Sequence, residues 1–155
     1  MQEPWQAPDV VAWCQLALDS HRRWVGCELI ERSGSPQEQS CALFAVPFVV
    51  ISHGAESDPI INYGNRTALT LFETTWDELC RMPSHLTTEP VNQAERARML
   101  ARAAVQGYLA GYCGIRISAT GRRFLVEDAT VWNVVTPDGI HVGQAATFST
   151  WRFLE

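Results

Sequence analysis

Patterns that bind metal or form disulfide frameworks are missing from this sequence. Its five cysteines, Cys14, Cys27, Cys41, Cys80 and Cys113, are odd in number, widely separated and never in CxxC spacing, so they read as reduced, mostly packed thiols. His21, His53, His85 and His141 are isolated, with no pair at helical i,i+4, and a zinc site would have to assemble from distant parts. No apolar run approaches the roughly 18 residues that a membrane-spanning helix needs. The opening Met1-Gln2-Glu3-Pro4-Trp5 lacks the basic and apolar regions of a secretion signal, which predicts a cytoplasmic product. Positive charge is also short. A net charge of −5 works against phosphate neutralisation, so direct nucleic-acid binding is not expected, and Arg22-Arg23, Arg96/Arg98/Arg102 and Arg122-Arg123 read as solvated faces. A nucleophile elbow, a phosphate loop, a metal triad and a paired-carboxylate motif are all absent, which leaves no reaction class to infer.

What is present is the material of a core. The chain has 155 residues, 46% of them hydrophobic, with six Trp and six Phe. A fold of that length buries about 68–70% of its unfolded surface. Val10, Trp13, Cys14, Ala17, His21 and Trp24 recur at three- and four-residue steps after Pro8, so residues 9 to about 31 read as an amphipathic helix capped by Asp9. Ser33-Gly34-Ser35-Pro36 breaks the pattern, and a short helical turn is expected over 37–43. Residues 45–52 form a β-branched run that reads as a buried strand with Pro47 near its start. After a loop in which Asp58 is expected to fix the turn, 60–63 read as a second strand and 65–73 as a helix capped by Asn65.

The spacing predicts a further short helix over 75–81, opened by a Thr75/Glu78 capping box and stopped by Pro83. After an irregular stretch over 82–91, an Asn92/Glu95 capping box is expected to start a longer helix with Ala97, Leu100, Ala101, Ala104 and Val105 on its apolar stripe, ending near Gly107. Segments 111–119, 123–135 and 141–153 have strand character and are separated by hairpin turns at Thr120-Gly121 and Pro137-Asp138-Gly139. Turns that short leave no room for crossover helices, so the sheet must be antiparallel. The fold class expected is α+β: a five-stranded antiparallel sheet, short helices on one face, and an added N-terminal amphipathic helix.

The motifs Val49-Val50-Ile51-Ser52-His53-Gly54, Asp58-Pro59-Ile60-Ile61-Asn62-Tyr63-Gly64-Asn65, Gly121-Arg122-Arg123-Phe124, Ala129-Thr130-Val131-Trp132-Asn133 and Gly143-Gln144-Ala145-Ala146-Thr147-Phe148 carry a resemblance. Together they resemble the MEKHLA domain, a PAS-related family, in the form of a stand-alone bacterial member; the domain also ends certain plant homeodomain-leucine zipper transcription factors. The resemblance implies a PAS-like fold used for sensing, ligand binding or protein association, and it carries no settled catalytic residues. It divides the chain into an N-terminal helical extension over 1–40 and a PAS-like domain over 41–155. Trp132-Asn133 also resembles an element of the flavin-binding light-oxygen-voltage group. The stretch from Met82 to Pro90, where that group places its adduct cysteine, holds none, so its photocycle is excluded. Flavin or haem binding without photochemistry stays open, and the cofactor is otherwise unspecified.

A PAS sheet turns one face toward its short helices, and polar residues on that face would be informative. Asn133 and Gln144 lead, because each sits among apolar or small neighbours; a buried amide holds either a ligand or a neighbouring strand or backbone group. Trp76, Trp132, Tyr63, Phe124 and Phe148 either line an aromatic pocket or pack the core. His53 is a general base, haem ligand or pH-sensitive group, or else a turn residue bonded to nearby backbone. Arg116, Arg122 and Arg123 bind an anion or pair with carboxylates, and Cys80 is either a redox sensor or a small buried hydrophobe. Three functions follow. The first is a sensory module that holds a small organic ligand and signals through association, as a homodimer paired through the N-terminal helix. The second is a small enzyme using the same cavity with His53 or His141 as acid-base residue. The third is a ligand-free dimerisation domain.

Overall fold

The computed structural model describes residues 2–155. A short 3-10 turn at Pro4–Gln6 leads into α1 (Pro8–Val25), α2 (Pro36–Ala45), β1 (Val49–Gly54), β2 (Ile61–Gly64), α3 (Arg66–Phe72) and α4 (Trp76–Leu79). A second 3-10 turn at Ser84–Thr87 precedes α5 (Pro90–Gln106), and β3 (Tyr108–Ile117), β4 (Arg123–Val135), β5 (His141–Phe148) and β6 (Thr150–Phe153) complete the chain. All strand pairs are antiparallel, in the order β2-β1-β5-β4-β3, with β6 also on β4. The expected last strand is therefore broken at Ser149. Its first part pairs with Thr130–Val135 and its second with Phe124–Glu127, so β5 and β6 together run along one edge of the long β4.

Helix ends depart from the sequence reading where backbone geometry overrides side-chain signals. α1 stops at Val25 rather than near residue 31, because Gly26 adopts a left-handed φ of 90° and its N–H closes onto the Arg22 carbonyl. Ala7, not Asp9, occupies its N-cap, and Asp9 lies in the first turn, where its charge favours the helix dipole. α2 is a full helix of 10 residues, opened by a reciprocal Ser35/Glu38 capping box with Pro36 in its first turn, and it takes in Ala45. β1 consequently begins only at Val49. Thr75 caps α4 by accepting the Glu78 N–H, but the Glu78 carboxylate takes the Thr74 hydroxyl, so the box is half formed. α5 begins two residues before Asn92 with Pro90 in its first turn, and its buried residues are Met99 and Ala103. The stripe expected there is rotated: Ala97, Ala101, Ala104 and Val105 face solvent.

The sheet is covered on both faces. On the back lies α1, whose Val10, Cys14, Ala17, Leu18 and His21 are buried at helical spacing. Side chains tie it down across the chain. Trp132 Nε1 donates to the Ala17 carbonyl at 3.0 Å, Trp24 Nε1 to the Asn133 carbonyl at 3.0 Å, and the Ser20 hydroxyl accepts the Val135 N–H at 2.9 Å. Trp13 Nε1 reaches the Ser52 hydroxyl on β1 at 2.8 Å. The apolar stripe that the sequence offers to a second subunit is thus occupied by the chain's own sheet. On the front lie α3 and α5, with Val49, Phe72, Phe124, Val126, Ala129 and Phe148 in one cluster and Met99, Ala103 and Val131 in another.

Asn65 joins these layers. Completely buried, it caps α3 by accepting the Ala68 N–H at 3.1 Å and also accepts the Val50 N–H at 3.1 Å, while its amide donates to the carbonyls of Phe48 at 2.8 Å and Leu43 at 3.3 Å. Each buried group left unpaired costs about 1–3 kcal/mol. Asn65→Ala is expected to lower unfolding free energy by at least ~3 kcal/mol in urea titrations, with Asn65→Asp intermediate because it keeps both acceptor bonds; equal stability of Asn65→Ala and parent would refute the assignment.

Candidate functional site

A cavity of about 70 Å³ lies between the front of the sheet, α3, α5 and the Ser84–Thr87 turn. Strand alternation decides what enters it. Register pairs His53 with Gln144 and Gln144 with Asn133, a polar row across three strands, and pairs Ser52 with Ala145 and Ala145 with Trp132 on the opposite face. Two compensating bulges keep β3 and β4 in step. Between Val126 and Ala129, β4 carries one residue more than β3, with Asp128 at a left-handed φ of 53°; between Leu109 and Tyr112, β3 carries one more, with Gly111 at 69°. As a result Val126, Ala129 and Val131 all line the cavity, as does Tyr112. Gly143 is required where β5 passes β1, because a Cβ there would run into the His53 carbonyl.

The residues proposed from sequence separate into two groups. His53, Gln144 and Phe148 line the cavity, and Asn133 adjoins it. Trp132, Tyr63 and Trp76 are elsewhere. Trp132 neighbours Asn133 in sequence and so must point to the other face, where it packs edge-on to His21 at 4.9 Å beneath α1. Tyr63 is carried to the α1 side by the irregularity between Ser52 and His53, which inserts Asn62 into β2; it meets Trp76 edge-on at 5.6 Å. An aromatic pocket built from these rings is therefore not formed, and Phe124 packs on Phe72 and Phe153.

The two amides hold protein groups. Asn133 donates to the Ala104 carbonyl at 3.0 Å, and Gln144 donates to the Leu100 carbonyl at 3.0 Å and to the Asn133 amide oxygen at 3.2 Å. They clamp α5 to the sheet at its last turns. His53 Nδ1 lies 3.0 Å from the Gly54 carbonyl, which assigns it the proton, and the buried Nε2 has no partner among the described residues. Its lone pair is thus available as an acceptor. Burial pulls the His53 pKa below the ordinary range, helped by the Arg96 and His141 charges and opposed by the Gly54 carbonyl and Glu56. His141 itself is exposed at the start of β5. Asp58, expected to close the loop, instead contacts His85 Nδ1 at 3.2 Å, and Glu56 accepts the Ile60 N–H at 3.0 Å.

Cationic groups complete the wall: Arg116, one of the anion-binding candidates, and Arg96, which the sequence places on a solvated face but the rotation of α5 turns toward the sheet. Arg96 and Arg116 both line the cavity. Arg116 donates to the Tyr112 hydroxyl at 3.2 Å, and that hydroxyl donates to Glu95 at 2.8 Å. The available signal was spacing: Arg96, Met99, Leu100 and Ala103 recur at i, i+3, i+4 and i+7, a charge on the buried stripe. Arg122 lies over the Phe153 ring and Arg123 pairs with Glu89 and the Glu155 carbonyl, so neither belongs to the site. Burial and the nearby Asp77 push the Cys80 thiol up to about 11, which disfavours the thiolate that redox sensing needs. Ligand sites for cofactor-sized molecules span roughly 300–1,000 Å³. Flavin and haem do not fit a cavity of about 70 Å³.

A twisted antiparallel sheet with a helical front, a cavity between them and a flanking N-terminal helix define a PAS-type fold. Solved structures agree: the PAS domain of a protein from Colwellia psychrerythraea superposes with a TM-score of 0.63 at 13% identity, covering 76% of this chain and 95% of that one. A light-oxygen-voltage domain studied with a flavin analogue gives 0.59 at 12% identity over 76% of this chain and 85% of the other. A PAS domain from a two-component sensor histidine kinase gives 0.55 at 16% identity over 74% and 91%. The MEKHLA domain model matches residues 11–153, and the chain belongs to the MEKHLA-domain family.

Its curated relatives include the homeobox-leucine zipper proteins HOX29 of Oryza sativa subsp. indica, 25% identical over 95% of this chain, and ATHB-9 of Arabidopsis thaliana, 29% identical over 63%. The chain spans 18% and 12% of the length of those two proteins. Both are plant proteins and supply no support for a bacterial, stand-alone origin. Among the described residues no helix is long and apolar enough to cross a membrane.

The histidines make stability depend on pH. Burial holds the folded pKa values of both His53 and His21 below the ordinary 6.5. The unfolded chain then binds more protons than the folded one in acid, so stability is complete above the unfolded pKa and falls as pH drops through 6.5 toward the folded values. Chemical denaturation between pH 7.5 and 5 is expected to show this loss, with a shallower slope in His53→Gln; an unchanged slope would remove His53 from the buried set.

Proposed function

We propose that the chain is a sensory module that holds a small organic molecule between the sheet and α5 and passes its occupancy on through protein association. The observation that carries this reading is the cavity itself. It sits where polar groups converge on an apolar wall, and its roof, α5, is held to the sheet by side-chain bonds from Asn133, Gln144 and Tyr112 and by the packing of Met99 and Ala103 on Val131. A ligand that alters the seating of α5 changes the outer surface of that helix, which is the route from cavity to partner. The PAS and light-oxygen-voltage neighbours support the sensory class through fold alone.

Association in this reading includes the homodimer expected from the sequence. Because α1 already buries its stripe on the sheet, the contact would use the outer face of α1 or another surface. Light scattering coupled to size exclusion measures the mass directly, and a strictly monomeric chain with and without ligand would reject the homodimer.

Ala129 lines the cavity on the floor, and Ala129→Leu would fill much of it. Native mass spectrometry of freshly purified protein is expected to show a small bound mass that Ala129→Leu abolishes with an unchanged circular dichroism spectrum. A clean apo mass from the parent would eliminate the ligand and favour a plain association domain.

A further inference from the structure

Among the described residues the chain's twelve cations are all arginine, and most have an evident partner. Arg22, Arg32, Arg123 and Arg152 pair with carboxylates; Arg23, Arg66, Arg116 and Arg122 lie over aromatic rings. Four others, Arg81, Arg96, Arg98 and Arg102, have neither, and three of these are exposed to water. Arg96 is the exception. It is withdrawn into the cavity wall, within the field of Arg116, with no carboxylate within salt-bridge distance and no hydrogen bond among the described residues. Burial and the Arg116 charge pull its pKa down to about 10, opposed by Tyr112, so half-buried Arg96 stays charged at neutral pH without a carboxylate partner.

Two guanidinium groups facing one small cavity suit an anion that the chain does not itself supply. Glu95, beside Arg96 on α5, is engaged with the Tyr112 hydroxyl. Between the arginines and the sheet the wall is apolar, made by Ile51, Phe72, Met99, Val131 and Phe148. We propose that the cavity binds a short-chain organic carboxylate, its head on Arg96 and Arg116 and its hydrocarbon body against that apolar wall. The planar fork of an arginine matches a carboxylate with two parallel hydrogen bonds. Inorganic phosphate would leave the apolar wall uncovered, and a neutral molecule would leave Arg96 unpaired. The volume of about 70 Å³ limits the body to a few carbons.

The proposal rests on the ligand-binding reading above and can fail separately from it. Calorimetric titrations of the full chain with butyrate, the isosteric neutral butyramide, and inorganic phosphate distinguish the cases. Butyrate is expected to bind at least tenfold more tightly than either other probe. Arg96→Gln should erase the preference of butyrate over butyramide, whereas Arg98→Gln, on the exposed side of α5, should leave it intact. Without ligand, Arg96→Gln is expected to melt at a higher temperature than the parent, because a half-buried charge in the field of Arg116 has been removed; this also confirms that the variant folds. Equal binding of butyrate and butyramide would overturn the carboxylate assignment and leave the small-molecule reading standing. Phosphate binding as tight as butyrate would likewise overturn it. Binding of none of the three probes would overturn the proposal, while a bound mass still seen by native mass spectrometry would preserve the broader reading.

Discussion

The register between β4 and β5 is the constraint on which the rest depends. With Trp132 opposite Ala145 and Asn133 opposite Gln144, one face of the central pair is aromatic and the other amide. A slip of one residue would exchange them, placing an indole in the cavity and two amides beneath α1. The bulges in β3 and β4 extend the same parity to the sheet's far end. Neither helical layer could dock without it: α1 needs the Trp132 ring under Ala17 and His21, and α5 needs amide donors for the carbonyls of Leu100 and Ala104.

This division of labour makes the two faces unlike in kind. The back is a packed core in which indole N–H groups and the Ser20 hydroxyl satisfy backbone groups directly, leaving little freedom to rearrange. The front is less complete. His53 Nε2 has an unused lone pair, Arg96 has no counter-charge among the described residues, and the space between them is not filled by side chains. The back also holds an unpartnered hydroxyl, that of Tyr63, so what sets the front apart is the open space beside His53 and Arg96.

Much of the architecture was legible before any coordinates. The order of elements, the antiparallel sheet, the Asn65 cap and the flanking helix followed from periodicity and turn chemistry, and so did the MEKHLA resemblance. Boundaries were less legible. The Asn92/Glu95 pattern resembled a helix start, but Pro90 already has the required φ and the helix begins there. Of the residues singled out from the sequence, His53, Gln144 and Phe148 line the cavity, and Asn133 lies beside them. Trp132, Tyr63 and Trp76 were grouped with these because aromatic type alone does not report which face a ring occupies.

Sequence by itself determined the kinds of element, their order and the sign of the sheet, since these depend on local spacing and on turn lengths too short for a crossover. Tertiary structure alone decided which face each strand residue takes and which of the two apolar stripes on α5, the one with Arg96 or the one with Ala97 and Ala101, meets the sheet. Those outcomes depend on bulges and on helix rotation. A bulge shifts every later side chain to the opposite face, and a helix rotation exchanges solvent for interior; both are set by the sum of contacts across elements distant in the chain, which no local pattern contains.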